Sequence, residues 1–219
     1  MQKTSPRAER SDGIRTRKAI LEAAASLATI EGLDGLSIGR LAEHIGISKS
    51  GLYAHFGSKE ELQLATIETA LQIFDEFVTA PAREIDDPMA RLDMLADRFL
   101  DHLRQNIFPG GCFFAAAAAE LDTHPGPVRE RIAQVLAAWG DEFLQQTKKA
   151  QSLSLLDPTE DPDQLVFELD SYLLMANMSW VMSGGVEGVL TRAKVAYDAR
   201  LERSKVLKPS DIPDALAIG

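Results

Sequence analysis

Residues 37–59, SIGRLAEHIGISKSGLYAHFGSK, constrain the fold more tightly than any other part of the chain. The apolar residues at the start of this segment have the i, i+3, i+4, i+7 spacing of a helix buried on one face: Ile38, Leu41, Ala42 and Ile45. Ser37 stands where its side chain can cap the first turn. Gly46 follows directly, where helices end in a left-handed backbone conformation. The pattern therefore predicts a short helix with two defined ends.

A second short helix is predicted over residues 49–56, with Ser48 as its cap and Leu52 on its buried face. Ser58 then begins a third helix in a capping box, because Glu61 follows three residues later. Two short helices joined by a turn with a glycine form a helix–turn–helix, whose second helix fits a major groove about 12 Å wide. The segment therefore indicates binding to double-stranded DNA.

The rest of the chain also predicts only helices. Ala and Leu are abundant, aromatic residues make up 6% of the chain, and neither strand alternation nor an internal repeat is found. Periodicity and end signals predict helices over residues 14–31, 59 to the residue before Pro81, 88–105, 111–121, 127–151, 164–183 and 186–205. We therefore expect an all-α fold, with a three-helix DNA-binding domain before a larger C-terminal helical domain.

The net charge of −10 is distributed unevenly along the chain. Residues 1–60 carry nine Lys and Arg against seven Asp and Glu, a charge of +2, whereas the remainder carries −12. Because phosphate repels an acidic body, this distribution favours docking on DNA by the N-terminal end alone. The split is mild, however, and acidic proteins that bind no nucleic acid can share it.

Cysteine usage and hydropathy indicate a cytoplasmic protein without a membrane partner. The single cysteine, Cys112, excludes an internal disulfide framework and fits a reducing compartment. The first residues, MQKTSPRAERSDG, lack the apolar segment of a secretory signal. The longest apolar stretches, residues 111–119 and 172–182, fall short of the roughly 20 residues that a membrane span needs.

Motifs that would indicate catalysis, a metal or a cofactor are absent from the sequence. The chain has no glycine-rich phosphate loop and no GxSxG elbow, and its histidines lack the spacing of a ligand set: His44, His55, His102 and His124. Cys112 lies among apolar residues, so we expect an inert buried thiol rather than a nucleophile. Two alternatives stay open, a helical enzyme and a helical DNA-binding or scaffold protein without a ligand.

Residues 16–69 resemble the N-terminal domain of the tetracycline-repressor (TetR/AcrR) family of bacterial transcription regulators. The resemblance rests on the helix ILEAAASLATIEGLDGLSI and on RLAEHIGISKSGLYAHFGSKEEL, which contains the family pattern without a gap over residues 46–62. It implies a homodimer that binds a palindromic operator with two recognition helices. It also implies a small effector that binds in the C-terminal domain, shifts the connecting helix and moves the DNA-binding domains apart.

The resemblance divides the chain into functional parts. We expect a flexible arm over residues 1–12 and a helix–turn–helix DNA-binding domain over residues 13–60. Residues 61–208 would form the ligand-binding and dimerisation domain, in which the last two helices of each subunit build a four-helix dimer core. Residues 209–219 would be a loose tail.

Several side chains of the N-terminal part are candidate DNA contacts. The family pattern implies that the Tyr53 hydroxyl reaches a phosphate, although packing against the first helix is the alternative. Lys49 lies at the start of the recognition helix, where its ammonium can donate to guanine. Lys59 opposes the dipole of the following helix, and an external anion would explain its position. The full set of candidates is Ser37, Arg40, Lys49, Ser50, Gly51, Tyr53, His55 and Lys59.

The large side chains of the C-terminal part are expected mostly in the core or the dimer interface. A minority would line an apolar effector cavity, since such sites are concave and carry few polar groups. The run of alanines over residues 115–119 would leave room for a ligand. The candidates are Phe99, His102, Phe113, Ala116, Trp139, Phe143, Tyr172 and Asn177. We therefore expect a repressor that a small apolar or aromatic effector releases from DNA.

Overall fold

The computed structural model describes residues 6–206, with side chains from Arg15 onward, and within that range the fold is all-α, as predicted. A single isolated antiparallel bridge joins Leu156 to Lys205. The helices are α1 (Pro6–Glu31), α2 (Ile38–Ile45), α3 (Lys49–Tyr53), α4 (Lys59–Phe74), α5 (Ala80–Arg83), α6 (Pro88–Arg104), α7 (Phe113–Leu121), α8 (Pro127–Ser152), α9 (Pro162–Met182) and α10 (Glu187–Arg203).

The first helix is longer than the sequence predicts. It begins at Pro6 rather than at about residue 14, so residues 6–12 of the expected flexible arm are helical. Proline is favoured in the first helical turn, because its fixed φ suits the helix and no N–H partner is needed there. The helix ends at Glu31, where Gly32 takes a positive φ of 84°. Residues 1–5 and the expected tail, residues 209–219, lie outside the described residues.

The N-terminal helices form a small bundle, and its buried side chains belong to the same apolar cluster as those of the C-terminal helices. The buried side chains come from every helix of this bundle and from the loop after α1: Ile20, Leu33, Leu36, Leu41, Leu52, Phe56 and Leu62. Helix α3 ends at Tyr53, three residues earlier than predicted. The His55 N–H bonds to the Leu52 carbonyl at 2.9 Å, a tighter turn that closes the helix.

The helix that leaves this bundle does not break before Pro81, which corrects the prediction from the sequence. A π-helical turn, Asp75–Thr79, joins α4 to α5, and the Ala80 N–H bonds to the carbonyl five residues back, that of Asp75. Pro81 then occupies the first turn of α5. In an α-helix a proline ring clashes with the carbonyl four residues back. The wider turn relieves that conflict, so the chain stays helical from Lys59 to Arg83.

The remaining helices form the larger body. Helices α6, α8 and α9 pack together, with α10 against α9 and α7 between α1 and α8. The Tyr197 hydroxyl of α10 is buried and donates to the Leu92 carbonyl of α6 at 2.8 Å. Arg200 pairs with Glu160 at 2.8 Å and so fixes the end of α10 to the loop before α9. These long-range bonds make α6 to α10 one packed unit.

Candidate nucleic-acid interface and ligand cavity

The ends of α2 are fixed by the residues that the sequence singled out. The Ser37 side chain accepts a hydrogen bond from the Arg40 N–H at 3.3 Å and so caps the first turn. Gly46 has a φ of 71°, and its N–H bonds to the carbonyls of Ala42 and Glu43. This left-handed residue turns the chain sharply, so that α3 begins three residues after Gly46.

Helix α3, the predicted recognition helix, presents one face inward and the other to solvent. Ser48 caps it by accepting from the Gly51 N–H at 3.1 Å. A Cβ at Gly51 would lie 3.1 Å from the Ser48 hydroxyl oxygen, so glycine leaves the cap undisturbed. Leu52 is fully buried, whereas Tyr53 is 58% exposed. The outward side therefore carries Lys49, Ser50 and Tyr53.

Two of the candidate cations have internal partners. The Arg40 guanidinium makes two bonds to the Glu31 carboxylate, at 3.1 and 2.5 Å. The Lys59 ammonium lies 2.7 Å from Asp34 Oδ1, and it holds the pKa of that carboxyl below its usual value. Asp34 therefore accounts for the Lys59 charge without an external anion. Both ion pairs are exposed, so phosphate can compete for the cations at little cost.

The structure brings several of the predicted DNA contacts together. A shallow surface groove between the N-terminal ends of α2 and α3 is lined by Ser37, Arg40 and Lys49. Ser50, Gly51 and Tyr53 continue along α3. His55 is half-buried in the turn before α4, which begins at Lys59.

Arg17, on the neighbouring part of α1, stacks 4.5 Å above the ring of Phe56. This cation–π contact gives Arg17 a part in holding the bundle together.

The N-terminal bundle is joined to the body by polar contacts across α7. The Glu120 carboxylate accepts from the backbone N–H groups of Leu33 and Asp34, at 2.6 and 2.9 Å. Gly32 leaves room for this carboxylate, since a Cβ there would overlap it. Nearby, the Gly110 N–H donates to the Thr29 hydroxyl at 3.0 Å. The loop after α1 is therefore held directly by the helix that carries the alanine run.

A cavity of about 420 Å³ lies beside that same helix. Helix α7 contributes Phe114 and three small side chains, as the alanine run predicted, while α8 and α9 contribute the opposite walls. Its aromatic walls are Phe74, Phe99, Phe114 and Trp139. Phe74 packs edge-on against the other three rings, at centroid distances of 6.4, 5.8 and 5.4 Å respectively. Since Phe74 ends α4, the helix from the N-terminal bundle forms part of the cavity wall.

Two of the eight candidate ligand residues, Phe99 and Trp139, line this cavity. The others lie elsewhere. Phe113 and Phe143 are buried behind the wall, Ala116 is half-buried on α7, and Tyr172 lies in a separate groove between α9 and α10. Asn177 has a structural bond, because its side-chain oxygen accepts from the Cys112 N–H at 2.7 Å.

His102 and Cys112 are buried groups without the properties of catalytic residues. His102 packs among Phe74, Phe99 and Phe108, neither of its ring nitrogens has a hydrogen-bond partner, and burial lowers its pKa to about 4. Burial raises the pKa of the Cys112 thiol to about 11. Both groups are therefore neutral near pH 7, and the thiol lacks the thiolate character that a nucleophile needs.

Sequence reasoning missed both carboxylates of the cavity, Asp122 at the end of α7 and Asp170 on α9, of which Asp170 is the more buried. The Asp170 carboxylate accepts from the Trp139 indole N–H at 2.8 Å, and burial raises its pKa although that hydrogen bond opposes the shift. The only signal for Asp170 in the sequence is an acidic residue just before the apolar run of α9, two positions after Glu168. Without the register of α9 against α8, that signal does not separate a surface residue from a cavity residue.

Within residues 6–206, no helix is long and apolar enough to cross a membrane. In the same part of the chain, no group of three or more His, Cys, Asp or Glu side chains is placed to hold a metal ion.

The capped pair α2 and α3, presented on a helical body, defines a helix–turn–helix transcription regulator. The chain matches the family model described as "Bacterial regulatory proteins, tetR family" over residues 20–66. It matches the model described as "Tetracyclin repressor-like, C-terminal domain" over residues 88–199. The protein belongs to the tetracycline-repressor family, whose members are transcription regulators and not enzymes.

Individual relatives are distant. An HTH-type transcriptional regulator of Staphylococcus aureus is 37% identical over 65 residues, 30% of this chain and 35% of that protein. An uncharacterised HTH-type regulator of Mycobacterium tuberculosis is 27% identical over 131 residues, 57% of this chain and 66% of that protein. The matches therefore span about a third and just under two thirds of these relatives.

Solved structures share the fold. A TetR transcriptional regulator from Chloroflexus aurantiacus has a TM-score of 0.77 at 23% identity, covering 88% of this chain and 95% of that one. A TetR-family regulator from Cytophaga hutchinsonii has a TM-score of 0.78 at 20% identity, covering 94% of this chain and all of that one. AibR, solved with isovaleryl coenzyme A and operator DNA, has a TM-score of 0.67 at 22% identity, covering 85% of this chain and 96% of that one.

Proposed function

We propose that this protein is a cytoplasmic, ligand-responsive repressor that binds a palindromic operator as a homodimer and is released by a small effector. The observation that carries the proposal is the capped helix α3, whose outward face presents a lysine, a serine and a tyrosine. Residues 13–60 would form the DNA-binding domain and residues 61–208 the ligand-binding and dimerisation domain. Residues 1–12, which are helical from Pro6 onward, and the tail would flank these two domains.

The outer face of α9 and α10 supports the homodimer. Large apolar side chains of these two helices are exposed to solvent in the single chain, with exposed fractions from 53 to 83%: Phe167, Met175, Met178, Met182 and Val195. Exposed apolar side chains concentrated on one pair of helices favour an interface. A second copy would cover them and place the two recognition helices roughly 34–36 Å apart, or a multiple of that, on successive major grooves.

The cavity beside α7 would hold the effector. Because Phe74 belongs both to the cavity wall and to the end of α4, a ligand that displaces its ring would move the connecting helix. AibR, a neighbour in fold, has been solved with an acyl coenzyme A and DNA. That neighbour supports the binding of a small molecule by this fold, but the lining of this cavity contains no Lys or Arg for phosphate groups.

The DNA contacts divide into two groups. Tyr53, His55 and Lys59 would contact phosphates, together with the amide of Ser37, whereas Arg40 would touch either a phosphate or a base. Lys49 and Ser50 would read bases, because the start of a recognition helix reaches deepest into the groove, and Gly51 would allow close approach of the backbone.

Selection of bound sequences from random duplex DNA tests the proposal directly. A palindromic consensus is expected, bound by a dimer with an affinity that falls with salt at a log–log slope of about −0.9 per neutralised phosphate. Small molecules are then screened for release of the selected duplex and for thermal stabilisation of the protein. A monomer that binds no duplex at low salt would refute the proposal. Duplex binding without any releasing compound would favour the ligand-independent alternative.

Replacing Lys59 by Ala should weaken binding to every duplex by about tenfold, since hydrogen bonds to charged groups contribute roughly 1.5–3 kcal/mol. The salt slope should become shallower by about 1, because one cation no longer displaces a counterion. Tyr53→Phe should weaken binding similarly but leave the slope unchanged, because the lost hydroxyl is neutral. Lys148→Ala, on the exposed side of α8, is the control and should change neither quantity. Fluorescence anisotropy at several salt concentrations measures both.

Replacing Lys49 by Ala should change which sequence is preferred. A lysine that donates to guanine contributes about 1–3 kcal/mol of discrimination between bases. When the selection is repeated with this variant, the selected sequences should show no base preference at one position in each half-site. Lys59→Ala should retain the wild-type consensus. If Lys49→Ala weakened all duplexes equally, the assignment of base reading to Lys49 would be wrong.

A further inference from the structure

The cavity beside α7 has an unusual combination of side chains for a site that binds a small molecule. Four aromatic rings form its walls: Phe74, Phe99, Phe114 and Trp139. Its lining also includes two carboxylates, Asp170 inside and Asp122 at the exposed rim, but no Lys, Arg or His. The charged groups of the cavity are therefore all negative.

The Asp170 carboxylate has no cationic partner among the side chains that the structure describes. One oxygen, Oδ1, accepts from the Trp139 indole N–H at 2.8 Å. Among the side chains described from Arg15 to residue 206, none donates to the second oxygen or forms an ion pair with this carboxylate. Most other carboxylates of the body that are removed from solvent do have such partners, as Glu142 has Arg91 at 2.8 Å and Glu160 has Arg200 at 2.8 Å.

An unpaired carboxylate at an apolar wall is costly, because the charge loses water and gains no counterion. Burial accordingly raises the pKa of Asp170. A ligand that supplied a positive charge would remove this cost. Aromatic faces attract cations as well, and the attraction is strongest where the site excludes water.

We propose that the effector of this protein is a hydrophobic cation, an aliphatic or aromatic ammonium whose charge lies between Asp170 and the aromatic walls. The inference rests on the proposed function, since it names the ligand class of the same effector site. The apolar part of the ligand would lie against Ala115 and Ala118 of α7, where the small side chains leave the space. Anionic ligands such as fatty carboxylates would meet two carboxylates and no cation.

Three probes of similar size separate charge from hydrophobicity. Benzyltrimethylammonium is the cation, neopentylbenzene is its neutral isostere with carbon in place of nitrogen, and hydrocinnamate is an anion of comparable length. Isothermal titration of the full chain should show the cation binding about tenfold or more tightly than either of the others, a difference of about 1.4 kcal/mol. Equal or tighter binding of the neutral or the anionic probe would overturn the inference, as would absence of cation binding.

Asp170→Asn provides the matched test, because the amide oxygen can still accept from Trp139. Affinity for the cation should fall about tenfold, while affinity for the neutral isostere stays the same. Asp122→Asn at the exposed rim is the control, where water screens the charge, and should change cation affinity much less. Asp170→Glu, which keeps the charge, should retain the preference for the cation and guards against a fold defect in the amide variant. Unchanged cation binding in Asp170→Asn would refute the inference.

Duplex binding is measured on the same preparations, so that a failure of the proposed function can be distinguished from a failure of the proposed ligand class. Loss of salt-dependent duplex binding would refute the proposed function. Duplex binding that persists without a preference for the cation would refute only the ligand class.

Discussion

Leu52→Ala should abolish most of the duplex binding while leaving the C-terminal body folded. Helix α3 has five residues, too few to be stable in isolation, so its conformation depends on the buried side chain of Leu52 and on Phe56 beside it. Replacing a buried Leu by Ala costs about 2–5 kcal/mol, a large part of the 5–15 kcal/mol that stabilises a typical domain. We expect affinity for the selected duplex to fall by about tenfold or more, measured by anisotropy.

Leu173→Ala is the matched control. Leu173 lies on α9 and is as completely buried as Leu52, so the same methyl groups are removed from the core of the body. The free energy of unfolding of Leu173→Ala should fall by a similar amount. The conformation of α3 and the duplex affinity of the folded protein should stay unchanged. If Leu52→Ala retained full affinity at low salt, α3 would not be the element that binds DNA.

Glu120→Ala should loosen the junction between the N-terminal bundle and α7. The Leu33 and Asp34 N–H groups would lose their acceptor, and an unsatisfied buried donor costs about 1–3 kcal/mol, less where water can reach it. Amide hydrogen exchange at these two residues should become about tenfold faster, since 1.4 kcal/mol corresponds to a factor of ten. Because α7 also forms the cavity wall, the variant should also respond less to any compound that releases the wild-type protein from DNA.

Two further variants sharpen the Glu120 experiment. Glu120→Gln keeps one side-chain oxygen as an acceptor and should restore part of the protection. Glu130→Ala removes an exposed carboxylate from α8 and should leave exchange at Leu33 and Asp34 unchanged. Protection that survives in Glu120→Ala would show that the junction does not depend on this carboxylate.

The DNA-binding part could be predicted from the sequence because its signals are local. Ser37, Gly46, Ser48 and Ser58 act on backbone groups within a few residues, and all four occupy the predicted cap positions. The apolar spacing of α2 likewise predicts which side of that helix is buried. The predicted end of α3 lies three residues beyond the observed one, because a tight turn at His55 replaces the last helical turn. No residue type in this segment indicates that turn.

The ligand cavity could be predicted only in part, since it depends on the register between helices distant in the chain. The alanine run indicated α7, and two of the predicted side chains line the cavity. Asp170 meets Trp139 across 31 positions of sequence, and Glu120 reaches Leu33 across 87. Neither hydrogen bond can be predicted from helical periodicity. Periodicity shows on which side of its own helix a residue lies, but not which other helix packs against that side.

The π-helical turn and Pro81 depend on each other. A turn with i→i−5 bonding amounts to one extra residue inserted into an otherwise regular helix. Deleting one residue between Asp75 and Thr79 would restore a regular α-helix. The Pro81 ring would then clash with a backbone carbonyl of the preceding turn. A deletion at this point would therefore bend the helical segment from Lys59 to Arg83, which joins the two domains. The number of residues in this segment, and not only their identity, is therefore constrained.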